Sequence, residues 1–302
     1  MADQALNSLP DQGASTGSPN LAATKRHFLP KGQPQITGFN RVGLWALYMK
    51  EVRRFLKVQT QTVWAPAVTT LLFLVIFTVA LSGGSGRTTR MVLGVPFATF
   101  VAPGLIMMGM MNNAFANGSF SLLAGKIQGT IIDLLMPPLT ELELLLGIVA
   151  AAVTRAVMVG CAVALAMALW PGVDLQAAHP WAIVWFGLMG SLMLSLIGVL
   201  TSLWGEKFDH NAAITNFVVY PLSLLSGTFY IISNFTPLFQ AISRANPFFY
   251  VISGFRFGFL GQSDIGNTNH AVIGAALGVG LLNLVLWLVT YRLLKSGWKL
   301  KS

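Results

Sequence analysis

The chain has 302 residues, 54% of them hydrophobic and only 10% charged, with a formal net charge of +9. A soluble protein carries about 25% charged residues, so this composition, with a mean hydropathy of +0.67, excludes a soluble globular domain and marks an integral membrane protein. The basic excess argues for cytoplasmic flanks rather than nucleic acid as a partner. The lone Cys161, inside an apolar run, rules out an intrachain disulfide and reads as a small packing residue.

In chain order, residues 1–40 hold Pro, Gly, Ser, Asn and Gln without an apolar core, which predicts a disordered cytoplasmic tail and no signal peptide. From Arg41 to Lys57, Leu44, Tyr48, Phe55 and Leu56 fall near one helical face, with Lys50, Arg53, Arg54 and Lys57 on the other. That pattern predicts a basic amphipathic helix on the membrane surface, or a solvated start to the first span. Apolar runs long enough for a bilayer then predict six spans, at about 62–82, 97–116, 146–169, 181–203, 212–232 and 271–293. The 41–302 region thus reads as one all-α transmembrane domain. GGSGRTT at 83–89 lacks the spacing and the Lys of a phosphate loop and reads as a turn.

Most Lys and Arg residues, from Lys25 to Lys57 and then Lys126, Lys207, Arg292, Lys295, Lys299 and Lys301, fall on one side of a six-span arrangement. Only Arg87, Arg90, Arg244 and Arg256 fall on the other. The positive-inside rule puts both termini in the cytoplasm. His27, His179, His210 and His270 lie in four separate regions without metal-ligand spacing, and no G-x-S-x-G elbow is present. No carboxylate sits deep in a span, which weakens an ion-coupled carrier. Neither a catalytic residue nor a metal or cofactor site is expected on this chain.

The connection from Asn117 to Gly147 is long, and Phe120, Leu123, Ile127, Ile131 and Leu134 recur at helical spacing before Pro137-Pro138. It predicts an amphipathic helix over about 119–135, either docking on another protein or lying at the interface without a partner. Asn112, Asn113 and Asn117 on the second span are candidates for lining a solute path, or for hydrogen bonds between helices. Arg155 lies well inside the third apolar run, so it must pair or snorkel. Gly274 and Gly278 form a G-x-x-x-G in the sixth, a weak packing signal. NPFFYVISGFRFGFLG, from Asn246 to Gly261, is too short to cross a bilayer and too apolar for a soluble loop.

Five stretches together carry a resemblance: VQTQTVWAPAVTTLLFLVIF (58–77), FVAPGLIMMGMMNNAFAN (100–117), GKIQGTIIDLLMPPLT (125–140), LSGTFYI (225–231) and NPFFYVISGFRFGFLG (246–261). Over about residues 41 to 302 the chain resembles an ABC-2-type membrane permease of the bacterial inner membrane. P-F-F-Y followed by Arg, from Pro247 to Arg256, is the most specific match; PLFQAISRA just before it fits more loosely.

That resemblance implies a six-span homodimer in contact with membrane lipid, bound to two copies of a separate cytoplasmic ABC ATPase that would carry ATP and Mg. The segment 119–135 would be the coupling helix, with Phe120, Leu123, Lys126, Ile127, Ile131, Asp133, Pro137 and Pro138 as its contact set. Pro247, Tyr250 and Arg256 would belong to outer re-entrant helices between spans five and six. The implied role is an exporter permease for an amphipathic, lipid-linked or glycan-like solute. The residues alone also leave open a carrier or channel without an ATPase, or a membrane anchor.

Overall fold

The computed structural model describes residues 38–81, 91–170, 172–232, 235–266 and 269–299. The expected tail up to residue 37, the 83–89 turn and Lys301 lie outside them. The described residues from Phe39 onward belong to one compact unit and are mostly helical.

Local sequence sets most helix boundaries. Helix α1 (Arg41–Leu56) starts where the Asn40 side chain accepts from the Gly43 amide, an N-cap contact. After a break at residues 57–58 the chain is helical again. It passes through a π-helical turn, Thr60–Trp64, into α2 (Ala65–Leu81). Two short strands, β1 (Met91–Val92) and β2 (Val95–Pro96), form an antiparallel hairpin that helical periodicity did not anticipate. Its turn places Leu93 and Gly94 at φ 53° and 76°, as a two-residue hairpin turn requires.

Helix α3 (Phe97–Ile127) is one continuous 31-residue rod, about 46 Å long at 1.5 Å per residue. The expected 119–135 helix is therefore divided. Its first half extends α3, Gly129 turns the chain at φ 70°, and only α4 (Ile131–Leu135) stands apart. Helix α5 (Glu141–Ala168) opens with a capping box, in which Thr140 accepts from the Glu143 amide and Glu143 accepts from Thr140. Glu143 also accepts from the Asn40 amide, so one carboxylate joins the starts of α1 and α5. Helix α6 (Pro180–Trp204) has Pro at its first turn.

The expected span 212–232 stops early. Helix α7 (Phe208–Ile214), a π-helical turn over Thr215–Val219 and α8 (Tyr220–Leu224) run on continuously. At 225–232 the chain leaves the helix, with Gly227 at φ 73°. Helices α9 (Pro237–Ala245) and α10 (Pro247–Leu260) follow, the second capped by Asn246 and closed by a left-handed Gly261. Helix α11 (Asn269–Ser296) ends the fold.

Among the described residues, four helical stretches are long and apolar enough to cross a membrane: Thr60–Val79, Glu141–Ala168, Pro180–Trp204 and Asn269–Ser296. The chain is thus a multi-pass, mostly helical membrane protein. Helix α3 is long enough but interrupts its apolar run with Asn112, Asn113 and Asn117.

At the centre, α3 packs on α5, α6 and α10. Its closest approach is to α6. A Cβ on Gly118 would stand 2.5 Å from the Ser195 carbonyl oxygen, and one on Gly198 would stand 2.6 Å from that of Phe115. Backbones meet there because neither helix carries a side chain at the crossing, which is how helices associate when lipid removes any hydrophobic preference between them. A Cβ on Gly274 or Gly278 would meet nothing within 4 Å among the described residues, so the G-x-x-x-G spacing marks no close packing there. Helix α1 lies along the first turns of α5, with Leu47 against Gly147 and Tyr48 bonded to Thr154. The face it buries is Leu47, Glu51, Val52 and Phe55, while Leu56 is exposed, so the apolar stripe is rotated from the expected one.

Candidate functional site

Three groups of polar side chains stand out, and the first lies between α1, α3 and α5. Arg54 turns inward, pairing with the buried Glu51 at 2.9 Å and donating to Asn117 Oδ1 at 3.1 Å. Burial holds its pKa below the ordinary arginine value, with Glu51 partly offsetting that. One turn earlier on α3, Asn113 accepts from Arg155 at 2.9 Å. The Arg155 guanidinium thus finds an amide oxygen as its partner. Asn112 and Asn113 also line a cavity of about 350 Å³ bounded by Gln61, Thr70, Phe73, Met108 and Tyr220. Asn117 faces Arg54 instead. The three asparagines therefore divide their work: two wall a cavity, and two hold arginines.

The second group surrounds Arg256, whose side chain is fully buried. Its Nη2 donates to the carbonyls of Gly227 and Thr228 at 2.8 and 3.2 Å, and its Nη1 pairs with Asp264 at 3.5 Å. The guanidinium stacks 4.0 Å from the centre of the Phe100 ring, a cation–π contact. Gly104 leaves room for it, since a Cβ there would stand 3.1 Å from Nη2. One side chain thus ties α10 to α3, to the 225–232 segment and to the loop before α11. Burial pushes the Asp264 carboxyl up, with Arg256 pulling the other way. Pro247 starts α10, and the Tyr250 hydroxyl donates to the Arg244 carbonyl at 2.9 Å. Both residues line a cavity of about 390 Å³ against α11.

The third group lies at the far end of α3. Lys126 donates to the carbonyls of Ser202, Leu203 and Gly205 at 3.2, 2.9 and 3.0 Å, serving the carbonyls that the end of α6 leaves without partners. Burial first, then Lys299, lowers its pKa, and Glu206 opposes them. Leu123 is fully buried, so neither residue offers a free contact surface as the expected coupling set required. Phe120 is exposed but stacks on Phe208 and lies under Arg54. Ile131 is half-buried, whereas Ile127, Asp133, Pro137 and Pro138 are exposed. The most open apolar side chains here are Ile132 at 61% and Met136 at 77%, which helical spacing alone did not single out.

Sequence reasoning missed Glu51, the inward turn of Arg54 and the cap made by Lys126. A Glu three residues before an Arg was legible as a helical pair, but its burial was not. The T-x-x-E box at 140–143 was legible, although its second bond to Asn40 spans a hundred residues.

A family model described as ABC-2 type transporter matches residues 42–260. The inner membrane transport permease YadH of Escherichia coli (strain K12) is 33% identical over 263 residues, covering 86% of this chain and 98% of that protein. The permease of the same name from Shigella flexneri matches to the same extent. Nodulation protein J of Rhizobium leguminosarum bv. viciae is 27% identical over 190 residues, covering 62% and 72%.

Proposed function

Because the chain belongs to the ABC-2 type transporter family, we propose that it is the membrane permease subunit of an ATP-driven exporter in a bacterial inner membrane. It works as a homodimer with two copies of a separate cytoplasmic ATPase, which bind ATP and Mg. Six crossings are assigned to the helical run 60–81, to α3, α5, α6, to the run 208–224 and to α11. Both termini lie in the cytoplasm, as the Lys and Arg distribution favours. The segments 225–232 and 235–266 then lie outside, their short helices forming a lid that dips into the membrane. Irregular backbone such as 225–232 is tolerated at that depth only where protein covers it, and the carbonyls of Gly227 and Thr228 are covered by Arg256. The solute is an amphipathic, lipid-linked or glycan-like molecule that uses the cavity beside Asn112 and Asn113.

The observation that carries the ATPase assignment is the apolar projection beyond α3. Ile132 and Leu135 on a short helix, with Met136 at its end, are exposed, as is Ile127 at the end of α3. Gly129 sets the short helix off and Pro137-Pro138 follows it. Such a knob suits a groove on a partner protein. Ile132→Asp would bury an unpaired charge there, at a cost of about 3–5 kcal/mol, or about a hundredfold or more in affinity. The variant should insert and melt like the parent yet lose co-purification with the cytoplasmic ATPase. Undiminished co-purification and transport would refute the assignment.

A further inference from the structure

The Arg54 and Arg155 cluster holds more positive charge than its own residues balance. Arg54 has Glu51. Arg155 has only the neutral oxygen of Asn113, and among the described residues it makes no ion pair. An arginine inside an apolar helix is costly when it faces no anion, so the cluster is electrostatically incomplete.

Its hydrogen bonding is incomplete in the same sense. Asn117 is 1% exposed, yet among the described residues its Nδ2 has no acceptor, and the Arg155 Nε is likewise buried without one. Both are donors. The two residues that hold the arginines, Asn113 and Asn117, are one turn apart on α3, about 6 Å along its axis. An oxygen-rich anion is the group that would satisfy two guanidinium groups and an amide donor at once, and arginine prefers phosphate because its planar fork matches phosphate oxygens.

Asn113 also forms part of the wall of the 350 Å³ cavity, whose other lining includes Phe73, Leu105, Met108 and Tyr220. Through Asn113, the Arg155 donor therefore adjoins a trough that has Phe73, Leu105 and Met108 as its apolar wall and Gln61, Thr70 and Asn112 among its polar lining.

We propose that Arg54, Arg155 and Asn117 form a phosphate site, with the apolar remainder of the same ligand lying in the adjoining cavity. The ligand class is an anionic amphiphile carrying a phosphate. This rests on the reading of that cavity as part of the solute path and specifies the solute's chemistry. Arg54 and Arg155 bind the head, while Asn113 positions Arg155.

The test uses the purified full-length chain in a neutral detergent, without any ATPase. Phosphatidic acid, phosphatidylcholine and inorganic pyrophosphate are titrated separately, with bound molecules counted by native mass spectrometry and melting followed in parallel. Phosphatidic acid should remain bound at one per chain and raise the melting temperature, whereas phosphatidylcholine should not. Arg155→Gln keeps a donor for Asn113 and removes the charge, and it should weaken phosphatidic acid at least tenfold. Asn113→Asp supplies Arg155 with a built-in carboxylate. It should melt no lower than the parent and lose the bound lipid, which keeps the test decisive if Arg155→Gln folds poorly. Binding of pyrophosphate as tight as that of the lipid would support the site and assign it to free phosphates. Phosphatidylcholine binding as tightly as phosphatidic acid would overturn the proposal, as would unchanged phosphatidic acid affinity in the Asn113→Asp protein. Either failure leaves the permease assignment standing, because that is tested by ATPase co-purification.

Discussion

Arg256→Ala is the most informative substitution in the chain. It removes the only side-chain cation paired with Asp264 among the described residues, and the Asp264 side chain is itself 3% exposed. It also strips the Gly227 and Thr228 carbonyls of their donor and leaves a void against Phe100. Breaking a buried pair from one side costs about 3–5 kcal/mol, because a charge is left buried without compensation. The orphaned carbonyls add about 1–3 kcal/mol where water cannot reach them. Arg256→Lys keeps a charge but offers no fork to reach two carbonyls and a carboxylate together, so it should recover part of the loss. Arg256→Met with Asp264→Asn removes both charges and should be more stable than Arg256→Ala alone. Melting of the purified proteins in one detergent, with solute export measured in cells at matched expression, separates the cases. A structural tie predicts that stability and transport fall together. An Arg256→Ala protein that melts with the parent would refute the reasoning.

Three further outcomes follow from the geometry. Gly198→Ala should destabilise by about 1–3 kcal/mol, since its Cβ would stand 2.6 and 2.8 Å from backbone atoms of α3. Gly278→Ala, with open space around it, should melt within a degree or two of the parent, and the reverse order in a thermal melt would contradict the helix crossing. Glu143→Gln should cost about 1–2 kcal/mol by weakening the charge-assisted caps of α1 and α5 together, and faster proteolysis near Arg41 would report the release of α1. For Asp264, burial raises the folded pKa above its ordinary value, so the folded state takes up the proton first. Stability of the parent relative to Asp264→Asn should therefore rise as pH falls through the folded value and level off near the unfolded one, about 3.9. A parent that loses stability relative to the variant over that range would show the carboxylate to be net favourable.

How much of this was legible beforehand divides along physical lines. Hydropathy sums over many residues, so the membrane class could be read from composition, and the helical spans at about Thr60–Val79, α5, α6 and α11 from apolar runs along the sequence. Caps are local, so Asn40, Thr140 with Glu143, Pro180, Asn246 and Gly261 also mark helix ends in the sequence itself. The family motifs at 100–117 and 246–261 were legible for the same reason: they are short and contiguous. Periodicity, by contrast, reports that a face exists and not what covers it. It put Leu123 on a docking face, whereas that side chain is fully buried; Lys126, which the family resemblance added to the same contact set, instead bonds the terminal carbonyls of α6. Periodicity noticed Gly274 and Gly278 by their spacing, while the glycines at the α3–α6 crossing are Gly118 and Gly198, eighty residues apart. The two arginine sites are of this second kind. An arginine's cost in an apolar helix is visible in sequence, but its partners are carbonyls and side chains from other segments, and only the tertiary fold brings Gly227 and Asp264 to Arg256, or Asn113 to Arg155.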